Sequence, residues 1–195
     1  MDNIRIYNKK NHDGSLHALG NGQLCVMEQG PNIFEIFGKP YSSTMLGSLT
    51  MDMDARIERV TQACIYRHFL ENGAVFEDFV DAELSCFVRK INTAVPFVMK
   101  LSIESDFELI RNDDIKAYRV LPGQFVCFPH VTTCCQVYGL SGCGNIIITK
   151  DEVIAGIGES YLYIAGCQAY NELVEIVEEV KSTSYNKLYS RTEKY

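Results

Sequence analysis

Residues 55–73 read ARIERVTQACIYRHFLENG, and two periodicities compete in them. Ile57, Val60, Cys64 and Phe69 can line one face of a helix. Alternation works as well, with Ile57, Arg59 and Thr61 on one side and Glu58, Val60 and Gln62 on the other. The β-branched content and the neighbouring segments favour strands. LENG then turns the chain into AVFEDFV, 74–80.

Working outward, period-2 segments recur on both sides. IRIY at 4–7, GQLCVME at 22–28 and NIFEIFG at 32–38 precede the ambiguous stretch, the last two joined as a hairpin by the turn-forming QGPN. After it, ELSCFVRKI at 83–91 sets Leu84, Cys86 and Val88 against Ser85, Phe87 and Arg89. In TAVPFVMKLSIES, Pro96 suits an edge or a strand start. DFELI, IKAYRV, QFVCF, CCQVYGL, GNIIITK, EVIAGI and SYLYIAG continue the alternation, with LPGQ and LSGCGN read as breaks. Many short strands at this spacing predict a large antiparallel sandwich or barrel. A parallel α/β fold would need recurring helices of ten or more residues, and the sequence lacks them.

The pattern changes after Gly166. Leu173, Val174, Val177 and Val180 fall at helical spacing, with Glu172, Glu175, Glu178 and Glu179 over much of the opposite surface. The expectation is one β-sandwich domain over 1–166 and a single substantial helix starting near Gln168. The polar, tyrosine-rich residues that follow read as a connection cut short, so 167–195 is expected to lead into a further domain.

A chain of 195 residues with 47% hydrophobic side chains can bury a real core. The net charge of -7, with no lysine or arginine cluster, argues against a nucleic-acid partner. No apolar run is long enough to span a membrane, and MDNIRIYNKK is no signal peptide, so the expected location is the cytoplasm. The eight cysteines are accordingly expected as buried free thiols.

Glu77 and Asp78 point to opposite faces of a strand, and Glu77 and Asp81 would lie about 13 Å apart by rise alone. Neither is a natural acid/base pair, so these carboxylates are expected to be solvated or locally hydrogen-bonded. Cys127 and His130 have a plausible ligand spacing for zinc, with Cys134 or Cys135 and Cys143 to complete a set, but the remainder fits no familiar zinc pattern. Gly139, Ser141 and Gly142 do not reproduce a nucleophile elbow, and a Cys143–His130 thiol/base pair is the weaker reading of those residues. Tyr7, Tyr41, Tyr118, Tyr138, Tyr161 and Tyr163 suit either sugar stacking or core packing, and packing is preferred. No catalytic residue, cofactor or metal is assigned.

The segment ALGNGQL, with Gly20, Asn21, Gly22 and Leu24, resembles the opening of the N-terminal domain of glycoside hydrolases and phosphorylases that carry an (α/α)6 catalytic barrel. GAVFEDFVDAELSCFVRKINTAVPFVMKLSI is similar to that family's paired strands, with Arg89 and Pro96 in the matching places. SYLYIAGCQAYNELVEIVEEVK resembles its last sandwich strand running into the linker helix. The resemblance implies an all-β supersandwich, galactose mutarotase-like, and a non-catalytic role in packing on and shaping the barrel. It implies the barrel as partner, with oligosaccharide as a further one. Gly20, Asn21 and Gly22 become a ligand- or barrel-facing turn. As a backbone device, that turn is expected to tolerate glycine at 21 and to reject valine at 22. Two alternatives stay open, an independent carbohydrate-binding module and a small complete enzyme or metal-binding β protein.

Overall fold

The computed structural model describes residues 16–38, 48–60, 65–102, 107–120 and 137–194, without the side chains of 59, 60 and 120. IRIY, QFVCF, Tyr7, Tyr41, Cys64, Cys127, His130, Cys134 and Cys135 lie outside them. Everything described before Gln168 is strand or turn. The strands are β1 (Leu16–Gly20), β2 (Leu24–Gln29), β3 (Asn32–Gly38), β4 (Ser48–Thr50), β5 (Ala55–Val60), β6 (Ile65–Leu70), β7 (Val75–Val80) and β8 (Cys86–Thr93). They continue as β9 (Phe97–Ser102), β10 (Phe107–Asn112), β11 (Ile115–Val120), β12 (Val137–Ile148) and β13 (Glu152–Cys167). All pairings among them are antiparallel. The stretch 55–73 is thus the β5–β6 hairpin and its exit turn, with Ile57 inward and 3% exposed.

One sheet runs β1-β2-β3-β4-β9-β13-β8-β7-β6-β5, and β12, β11 and β10 continue from the other side of β13. β13 is long enough to pair with β8 along its C-terminal half and with β9 along its N-terminal half. This branch lets the sheet curl on itself, and β1, β2 and β3 pack over β7, β8 and β13. Leu24, Val26, Ile33 and Ile36 from one layer meet Phe76, Phe87, Ile91, Leu162 and Ile164 from the other. Tyr138 crosses between layers, accepting a 3.0 Å hydrogen bond from the Gly38 amide and packing against Gly166.

Two sequence readings are corrected. LSGCGN is not a break: it lies inside β12, where the register slips between Gly144 and Ile146 as a bulge. The C-terminal helix is two helices, α1 (Tyr170–Ser182) and α2 (Tyr185–Glu193). Both pack back on the outer face of the sheet. Leu173, Ile176, Val177, Val180 and Leu188 form a second core there with Ile65, Phe79, Val88, Val137 and Tyr163.

Candidate functional site

The β1–β2 turn is built by Asn21 and Gly22. Gly22 has φ 79°, a conformation that a side chain with a Cβ resists. Asn21 Oδ1 accepts from the amides of Gln23 and Leu24, at 2.8 and 3.1 Å. Its Nδ2 donates to the carbonyls of Asp81 and Leu84, at 2.7 and 2.8 Å. The turn is therefore stitched to the β7–β8 loop rather than free. A Cβ on Gly20 would stand 3.0 Å from the Leu24 carbonyl. Asn21 is half-buried, and Gly20 and Gly22 are exposed.

The same loop receives α2. Asp81 is fully buried; its Oδ1 accepts from the amides of Glu83 and Leu84, and Arg191 grips its carboxylate at 2.6 and 2.7 Å. The Ala82 amide donates to Thr192 Oγ1. At its other end α2 is held by aromatics. Tyr185 and Tyr189 pack on Phe79, Tyr185 also meets Tyr161 and Glu77, and Lys90 lies 4.9 Å above the Tyr185 ring. α1 leads away from the end of β13, and α2 returns to it. The Asn21 turn, the 81–85 loop and the last turn of α2 thus share one end of the sandwich.

A second cluster lies between the layers. Glu28 from β2 meets His68, Asp78 and Arg89 from β6, β7 and β8, all four at 0% exposure. Arg89 donates to both oxygens of Asp78, at 2.9 and 2.7 Å, and to Glu28 Oε1 at 3.3 Å. His68 Nε2 lies 3.0 Å from Asp78 Oδ2 and 3.4 Å from Glu28 Oε2. His68 Nε2 thus reaches both carboxylates, and among the described residues His68 Nδ1 has no partner. Burial, then the neighbouring Asp78 charge, push Glu28 up to about 7. Burial would also raise Asp78, but Arg89 and then His68 outweigh it and bring it down to about 2. Burial would depress His68, and Asp78 and Glu28 outweigh it and raise it to about 9.

Glu28, His68 and Asp78 each bring one donor atom within 4.8 Å of the others, a spacing that suits a cation. The Arg89 guanidinium already bridges both carboxylates, so the cation there is part of the protein. Of the carboxylates singled out in the sequence, Glu77 and Asp78 do point opposite ways, Glu77 to Arg67 and Tyr185. Asp78 and Asp81 are buried and hydrogen-bonded, the second of the two expected states. Glu28 and His68 were missed: four residues on four strands carry no linear spacing. Cys86 is a buried free thiol, whereas Cys25, Cys143 and Cys167 are free but only half-buried. Tyr118, Tyr138 and Tyr163 are packed in the cores.

No family model and no curated protein matches the sequence. Among solved structures, a bacterial glucoamylase complexed with acarbose is similar at a TM-score of 0.58 and 13% identity. The likeness covers 99% of this chain and 39% of that one. The likeness is one of fold, a curled antiparallel β-sandwich like the sandwich domain of that glucoamylase. The chain thus spans well under half the length of the enzyme it is similar to. Among the described residues, no helix is long and apolar enough to cross a membrane.

Proposed function

We propose that this chain is the non-catalytic N-terminal domain of a carbohydrate-active enzyme, a glycoside hydrolase or phosphorylase, and that it packs on an (α/α)6 catalytic barrel. The observation that carries this reading is the span of the likeness, nearly all of this chain against 39% of a glucoamylase. Residues 1–166 form the sandwich and 167–195 the helical connection. The end that gathers Gly20, Asn21, Gly22, the 81–85 loop and the last turn of α2 is the surface offered to the barrel, and through it to oligosaccharide. The cytoplasm is the proposed location.

Catalysis belongs to the barrel in this reading, and no residue here is given a catalytic role. The aromatic cluster supports a packing domain over an independent sugar-binding module. Tyr161 and Tyr185 turn their hydroxyls to Glu159 and Glu77, and Tyr185 and Tyr189 pack on Phe79 to seat α2. The test joins the chain to the reading frame that follows it in the gene. The joined protein should release or phosphorolyse sugar from oligosaccharides, and the chain alone should be inert and should not bind them in calorimetry. A following frame without helical hairpins, or saturable oligosaccharide binding by the chain alone, would overturn the proposal.

A further inference from the structure

The four ionisable groups between the layers can be counted as charges. Arg89 and Asp78 balance each other in a two-pronged pair. What remains is Glu28 and His68, 3.4 Å apart and both fully buried. With no proton between them, the pair leaves one uncompensated negative charge in a dry interior. With one proton, on either group, the quartet is neutral. With two, it carries an excess positive charge. An unpaired buried charge is costly, so the neutral state is the one the fold favours.

Geometry gives this count a structural consequence. Glu28 stands on β2 in one layer, while His68, Asp78 and Arg89 stand on adjacent strands of the other. Against the guanidinium lie Met99 Sδ at 3.9 Å and the rings of Phe76 and Phe87. The titratable groups that face the quartet from neighbouring strands are His17, across from Glu28 on β1, and Tyr66, across from Asp78 on β6, their rings 4.9 Å apart.

We infer that Glu28 and His68 hold one exchangeable proton as a clasp between the two layers, and that the sandwich loosens when alkaline pH removes it. The shifts of the two groups agree in sign. Both bind a proton more tightly in the folded protein than their ordinary values of 4.5 and 6.5 allow. The folded state therefore holds more protons than the unfolded one, and stability falls as pH rises. The Glu28 contribution is lost as pH rises through about 7, and that of His68 as it rises through about 9. Asp78 acts the other way. Its contribution is present above 3.8 and lost as pH falls through about 2, outside this window. Between about 7 and about 9 the pair keeps a single proton, and its two titration steps belong to the pair rather than to either residue.

The test uses the whole chain. Nitrogen NMR of the His68 ring from about pH 5 to about pH 10 reads its protonation, and thermal melts over the same range read the clasp. The ring should stay protonated through about pH 8, and the melting temperature should fall as it deprotonates. Glu28→Gln removes the demand for the proton. His68 should then titrate lower than in the parent, with Asp78 still beside it, and the alkaline fall in melting temperature should flatten. A His68 ring already neutral at about pH 7 together with a Glu28 carboxyl already ionised, read by its carboxyl carbon shift in the unsubstituted protein, would overturn the inference, whether or not the variant folds. So would equal alkaline slopes in the two proteins, or about one divalent metal per chain retained on dialysis in place of the proton.

Discussion

Asn21 turns the chain and also ties two loops together, and only the first of these roles was legible. An Asn-Gly pair between apolar segments announces a tight turn, and the Gly22 φ of 79° agrees. The bonds from Nδ2 to Asp81 and Leu84 join residues some sixty positions apart, so no local pattern encodes them. The expected tolerance of glycine at 21 is therefore revised. Asn21→Gly keeps the backbone freedom but removes both halves of the amide's bonding and strands the Asp81 carbonyl, while the Leu84 carbonyl keeps the Cys86 amide. It should cost about 1–3 kcal/mol. Gly22→Val should cost about 1–3 kcal/mol through backbone strain. Urea unfolding of both variants is the check, and an Asn21→Gly protein as stable as its parent would mean that water replaces the lost bonds.

At the scale of elements, the strands were easy to read wherever one face meets the core and the other meets solvent. In β9, Phe97, Met99 and Leu101 are buried and Val98, Lys100 and Ser102 exposed, a clean alternation. β12 was cut in two by its own composition: LSGCGN has the residues of a loop, but pairing with β13 on both sides of the bulge keeps it in the sheet. The helical hairpin reads as one helix in the sequence because the residues of α2 are mostly polar. Its hold on the sheet rests on Leu188, two tyrosines, the Thr192 hydroxyl and the Arg191 ion pairs to Asp81 and Glu83 rather than on a long apolar stripe. The Arg191–Asp81 pair is thus an element-level latch. Arg191→Met leaves Asp81 buried and unpaired, and breaking a buried pair costs about 3–5 kcal/mol. Arg191 is 17% exposed, so the lower end of that range is expected. Adding Asp81→Asn, which keeps an oxygen for the Glu83 and Leu84 amides, should recover part of the loss. Denaturant melts of the two single variants and the double one would measure the coupling. Additive losses would mean that the Arg191–Asp81 pair is not what holds α2.

At the scale of the molecule, the curled antiparallel sheet was legible because its period repeats along the chain. The buried quartet was not, because residues 28, 68, 78 and 89 meet only once the layers close. Nor was the second core, which forms only where the helices return to the outer face of β6, β7, β8, β12 and β13. That core bears on how separable 1–166 is from 167–195. Leu173, Ile176, Val177, Val180 and Leu188 are buried there, each worth about 1.5–3 kcal/mol on full burial, and these are upper values because unfolded chains are themselves compact. Together they rival the roughly 5–15 kcal/mol by which a whole domain is stable. Ending the chain after Gly166 would also bare Phe79, Val88 and Tyr163 as one apolar patch, and patches of that kind drive association. The shortened protein should therefore aggregate, or melt well below the full chain, in size-exclusion chromatography and thermal denaturation. A monomeric 1–166 fragment that keeps the melting temperature of the full chain would show instead that the inner core between the layers is sufficient, and that α1 and α2 serve only as the path toward a following domain.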